Sequence, residues 1–221
     1  MSFPWRNLSI AAAGALVMAG SAQAVNLVVN GSFEAVPFTS NGNYTLGLTD
    51  ADVPGWHIPA SNGTYPWGLQ TGAFGAPAPA DGDQWVVLGL HSPRTEFSIE
   101  QTLTGLSNGA TYSLKFAIAS EWNCCSQARV SFVGSATAPQ DFTAPTSGQY
   151  WTEWGYHGMN FVASASSVTI TITNINPTTG EGYDLGLDDV TVSAVPEPAT
   201  YALLIAGLAG VGAVARRRRE G

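Results

Sequence analysis

An all-β sandwich is the fold class that the sequence predicts, and three observations carry it. Within 111–120 the apolar Tyr112, Leu114, Phe116 and Ile118 alternate with Thr111, Ser113 and Lys115, the period of two of a strand buried on one face. Val168, Ile170 and Ile172 alternate with Thr169, Thr171 and Thr173 in the same way. Between residues 25 and 194 no stretch has the 3.6-residue period of an amphipathic helix, and Gly, Pro and Asn interrupt the chain at short intervals. Taken in order, strands are expected at 27–30, 85–90, 97–103, 111–120, 128–133, 159–163, 168–173 and 185–193, a set that suits two packed antiparallel sheets. The Gly- and Pro-rich 36–83 is a poor strand former. It is expected to wrap one end of the sandwich, carrying Trp56, Tyr65, Trp67 and Phe74. No internal repeat or linker divides 25–194.

The two ends read as targeting segments. Arg6 precedes an apolar stretch from Leu8 to Gly20, and Ala22-Gln23-Ala24 supplies small residues for signal peptidase, so a signal peptide over 1–24 is expected. Its apolar core of about 13 residues is too short to span a bilayer. At the other end Pro196 and Pro198 each remove a backbone donor and fix φ, which stops a strand and lets Pro198 open a helix. Residues 199–215 carry no charge, and Arg216, Arg217, Arg218 and Arg219 follow without a break. About 17 residues at ~1.5 Å each span about 26 Å, the lower limit for a membrane crossing. A transmembrane helix over about 199–215 is therefore expected, with the arginines on the cytoplasmic side. Pro196-Glu197-Pro198, apolar helix and arginine cluster, in that order, closely resemble the PEP-CTERM sorting signal of Gram-negative bacteria. The resemblance implies export, transient inner-membrane anchoring and recognition by an exosortase, a membrane cysteine protease that cuts near the motif. It also implies association with exopolysaccharide and biofilm matrix, at the cell surface or outside it. The organisation expected is a signal peptide over 1–24, an ectodomain over 25–194 and a sorting segment over 195–221.

Without its two ends the chain is strongly acidic. Residues 25–194 hold three basic residues, Arg94, Lys115 and Arg129, against fourteen Asp and Glu, a formal charge of −11. Nucleic acid is excluded as a partner, since a phosphate polyanion needs a basic face. The remaining surface is rich in hydroxyl and amide groups, which suits neutral sugars or divalent cations. Catalysis finds no support. His57, His91 and His157 are scattered, and the sequence contains no Gly-x-Ser-x-Gly elbow, His-Glu-x-x-His motif or phosphate loop. Cys124 and Cys125 are adjacent. They can form a strained vicinal disulfide, because neighbouring Cα atoms sit about 3.8 Å apart, or remain free or intermolecular thiols.

The order of short motifs carries a second resemblance. Asn26-Leu-Val-Val-Asn-Gly-Ser-Phe-Glu34, Gly55-Trp56, Ser98-Ile-Glu-Gln-Thr102, Ala110-Thr-Tyr-Ser-Leu-Lys-Phe116 and Leu187-Asp-Asp-Val190 are similar to the galactose-binding-like jelly rolls, among them carbohydrate-binding modules. The resemblance implies a jelly-roll β-sandwich and a structural calcium ion held by Glu34 and Asp188. Strand parity supports the second ligand: Asp188 shares a face with Val190 and Val192, so if those valines point inward the carboxylate does too. Sugar rings stack on aromatic faces. Tyr65, Trp67 and Trp122 are the candidate ligand-binding residues, Trp56 and Trp85 are read as core, and Trp151, Trp154 and Tyr156 are left on either side. The function expected is a surface or matrix protein, not an enzyme, whose sandwich binds extracellular polysaccharide. The alternative is a structural matrix protein with no specific ligand.

Overall fold

The computed structural model describes residues 25–59, 66–71, 73–89, 96–121, 126–146, 150–175, 184–196 and 198–220. The expected signal peptide, Tyr65, Trp122, the Cys124 and Cys125 pair and Glu197 lie outside them. Ten strands follow in order: β1 (Tyr44–Leu46), β2 (Trp67–Gln70), β3 (Gln84–Leu88), β4 (Phe97–Thr104), β5 (Thr111–Ser120), β6 (Gln127–Val133), β7 (Gln140–Thr143), β8 (Gly155–Val162), β9 (Ser167–Asn174) and β10 (Leu185–Ala194), with helix α1 (Pro198–Glu220) after them. Two antiparallel sheets form, β1-β2-β3-β10-β5-β8 and β4-β9-β6-β7.

The alternating strands behave as their pattern demands. Tyr112, Leu114, Phe116 and Ile118 of β5 meet Val168, Ile170 and Ile172 of β9 in the core between the sheets, joined by Val86, Leu88, Ile99, Val130, Phe161, Leu185 and Leu187. The motifs tie this core to the loops. Gln101 accepts from Val29 N (2.7 Å) and donates to Val29 O (2.9 Å), and the Trp56 indole donates to Asn30 O (2.9 Å). Trp56, 3 % exposed, is thus core, as the sequence indicates.

Three expectations need correction. Residues 27–30 do not form a strand. Leu27 N reaches Val192 O at 2.8 Å, but Asn30 turns the chain with φ +54, ending any extended run. The stretch 36–83 is more than a wrapping loop, because its three-residue β1 and four-residue β2 extend the larger sheet through Tyr44↔Leu69 and Leu69↔Trp85. The segment 199–215 is helical within α1, yet among the described residues no helix is long and apolar enough to cross a membrane. The 17 uncharged residues stand at the bottom of the range for a crossing helix, and four arginines close the stretch.

Candidate functional site

The site is built on the outer face of the six-stranded sheet. Registers Tyr44↔Leu69↔Trp85 and Trp67↔Val87↔Gly186↔Ala119 place these residues on one face, opposite the main core. They form a second apolar cluster with Trp151, and with Trp154 partly buried against it. Trp85 is fully buried. Trp151 and Trp154 meet its ring edge-on at 4.8 and 5.1 Å. Trp154 is held by its indole N–H on Ala78 O at 2.7 Å, and it lies over Gly186, where a side chain would collide with the Trp85 ring. Trp85 is structural, as expected, and Trp151 and Trp154 join it.

At one margin of this cluster three rings gather. Phe74 lies 4.8 Å from Tyr44 and 6.4 Å from Trp67, centroid to centroid, and it is 52 % exposed. Its φ of +48 is left-handed, an unfavourable conformation for a bulky residue, and such strain is held where surrounding structure imposes it. Trp67 is half-buried in β2 at this margin, and of the three expected sugar-stacking residues it is the one within the described residues.

The opening motif and the closing strand act on a single loop, 80–84. Glu34 Oε1 accepts from Asp83 N and Gln84 N at 2.8 and 2.9 Å, and Asp188 Oδ2 accepts from Ala80 N and Asp81 N at 2.8 and 3.0 Å. Gly82 stands between with φ +71, and a side chain there would run into the Glu34 carboxylate, so this turn demands glycine. Gln84, buried, completes the clamp by accepting from Phe38 N (2.9 Å) and donating to Val36 O (2.7 Å).

Asp188 is buried, but on the opposite face from the one that parity predicts. Pairing of β10 with β5 shifts between Asp188↔Ala117 and Thr191↔Lys115, and Asp189 takes φ +48. This bulge inserts a residue and reverses the alternation, so Val190 and Val192 enter the core while Asp188 shares the outer face with Ala117. Burial pushes its carboxyl up to about 7, against the pull of backbone N–H groups from Asp81, Asp189 and Ala80. Asp189 is raised too, by burial first and then by the Asp81 carboxylate. Among the described residues no three His, Cys, Asp or Glu side chains gather as a metal-ligand group. Glu34 and Asp188 supply two carboxylates, so calcium there would take the rest of its six to eight oxygens from backbone carbonyls or water.

A sandwich with an aromatic-rimmed sheet face, followed by a Pro-led helix ending in arginines, defines a carbohydrate-module-like domain with a sorting tail. The tail, 194–219, matches the PEP-CTERM protein-sorting motif, and proteins carrying it are exported and sorted to the cell surface. The chain belongs to the family described as "Protein of unknown function (DUF642)", whose model matches 26–193. The fold is similar to that of TmCBM61 in complex with β-1,4-galactotriose, at 15 % identity and a TM-score of 0.51 over 78 % of this chain and 100 % of that one. Family 16 carbohydrate-binding module 2 aligns at 15 % identity and 0.47, over 76 % and 99 %. The N-terminal cellulose-binding domain of Cellulomonas fimi β-1,4-glucanase C aligns at 16 % and 0.41, over 74 % and 99 %. Comparison with curated proteins finds no match.

Sequence reasoning missed the 80–84 loop, because a clamp made of backbone N–H groups leaves no residue signature except Gly82. It also left Tyr156 undecided. Tyr156 lies on the outer face opposite Ala117 and is 67 % exposed.

Proposed function

We propose that the domain binds carbohydrate on the outer face of its six-stranded sheet, in an exported, exosortase-processed protein of the cell surface or matrix. The observation that carries this reading is the rim of Tyr44, Phe74 and Trp67 beside the buried tryptophan cluster. Aromatic rings of this kind present flat apolar faces to the C–H faces of sugars. Tyr65 and Trp122, outside the described residues, are the other stacking residues that this reading proposes. A formal charge of −11 on 25–194 favours a neutral glycan over a polyanion, and the galactotriose bound by the structural relative agrees with that choice. No catalytic role is proposed.

A glycan array probed with the purified full chain tests the reading. Neutral oligosaccharide spots are expected to bind, and Trp67→Ala or Trp122→Ala should lose about tenfold in affinity, the scale of one aromatic contact of about 1.4 kcal/mol. An array with no bound spot leaves a structural matrix protein without a specific ligand as the better account.

Processing is tested separately. Mass spectrometry of protein recovered from the cell surface is expected to show a chain beginning at Val25 and lacking Arg216 to Gly221. An intact arginine tail on surface protein would sink the sorting claim.

Calcium at Glu34 and Asp188 is a separate proposal that rests on the resemblance, and the amide hydrogen bonds compete with it. Calcium should raise Tm in a way that EDTA reverses. A ligand specific to the folded state adds about 2.7 kcal/mol at a hundredfold excess over Kd. No response to either reagent leaves both carboxylates with the loop amides alone.

A further inference from the structure

Among the described residues the loop through 80–84 covers the outer face of the six-stranded sheet as far as Asp188. Beyond it Lys115 of β5 and Tyr156, Gly158 and Asn160 of β8 are exposed. Register sets Thr191 beside Lys115 and Lys115 beside Gly158, with Tyr156 opposite Ala117 one step along. Lys115 and Asn160 are exposed, Thr191 and Asp189 are half-buried, and Gly158 leaves the floor beside Lys115 without a side chain.

Charge separates Lys115 from the other basic group described in the domain. Arg129 is committed to Asp141 through bonds of 2.7 and 2.9 Å on the other sheet. Lys115 makes no hydrogen bond among the described residues, although it stands close enough to Asp189 to stabilise that carboxylate. The lane therefore offers an ammonium donor, a carboxylate acceptor and an exposed phenol ring around a bare glycine floor. Asp81 and Asp189 set a negative field around the one cation, so the lane suits a ligand with hydroxyls and no charge. A uronate or phosphate would meet two carboxylates at close range.

We infer that this lane is a second saccharide contact, in which Tyr156 stacks on an uncharged hexose unit while Lys115 and Asp189 donate to and accept from its hydroxyls. The inference rests on the carbohydrate reading above and extends the bound chain from the Trp67 rim, past the loop, to the opposite edge of the same sheet. It gives the Asp188 clamp a use, since the loop it holds is the wall between the two contacts.

Affinity electrophoresis of the full chain in gels cast with β-1,4-galactan, hydroxyethylcellulose or polygalacturonate tests it. At least one neutral polymer should retard the parent, and polygalacturonate should not. Tyr156→Ala and Lys115→Met should each weaken the retardation about tenfold, while Tyr156→Phe, which keeps the ring, should match the parent. These side chains are exposed, and an unchanged Tm would show that the variants fold. Full retardation of both Tyr156→Ala and Lys115→Met, with loss in Trp67→Ala, overturns the lane and leaves the rim reading standing. Loss in the lane variants with Trp67→Ala unaffected supports the lane and removes the rim. A parent retarded by neither neutral polymer, or chiefly by polygalacturonate, overturns the lane as a site for uncharged sugar.

Discussion

Asp188→Ala is expected to lower the stability of the domain by roughly 2 to 5 kcal/mol, because the backbone N–H groups of Ala80, Asp81 and Asp189 lose their acceptor in a buried site. For a domain of this size the loss corresponds to roughly 5 to 15 °C in Tm, read by thermal unfolding. The sign of the pH dependence follows from the raised carboxyl. Its folded value of about 7 lies above the ordinary 3.8, so the folded state binds the proton more tightly than the unfolded state does. The contribution is full below about 3.8 and is lost as pH rises through about 7. Tm should therefore fall between mildly acidic and mildly alkaline buffer. Asp188→Asn, which keeps an acceptor but cannot titrate, should flatten that slope. An equally steep slope in Asp188→Asn would assign the dependence to another group.

Trp85→Ala is expected to cost about 3 to 5 kcal/mol, the range for emptying a buried indole site. Its consequences reach further than the cavity. Trp151 and Trp154 pack edge-on against this ring, and Trp154 holds the loop at Ala78. Near-UV circular dichroism from the coupled indoles should collapse while far-UV signal from the sheets survives. A variant that keeps the near-UV spectrum would show that Trp151 and Trp154 are ordered by other contacts.

Legibility followed local pattern. β5 and β9 were readable because one face is buried and one wet, so polarity alternates residue by residue. β3 is buried on both faces, Gln84 to Leu88, and it reads as an apolar run without orientation. β1, β2 and β7, of three or four residues, are too short to show a period and owe their extended form to neighbours. The motifs single out Glu34 and Asp188 but not the loop amides that they hold, and the site is illegible where register creates it. Trp67 belongs to the rim because it pairs opposite Val87, and Tyr156 and Lys115 share a lane because β8 lies beside β5. Asp188 shows the limit of parity: one inserted residue reversed its face, and only the left-handed Asp189 marks the place.

The sorting helix follows β10, and β10 is not an edge strand. It lies between β3 and β5, with ladder bonds on both sides, and its last residues are also held by Leu27 and Asn26 of the chain's opening segment. A pull at Pro196 would meet the β5 ladder over Thr191 to Ala194 together with the Asn26 and Leu27 bonds to Val192, whereas the β3 ladder, at Leu185 to Leu187, lies farther along the strand. The exit toward the C-terminal helix is thus pinned on two sides, where an edge strand would be pinned on one.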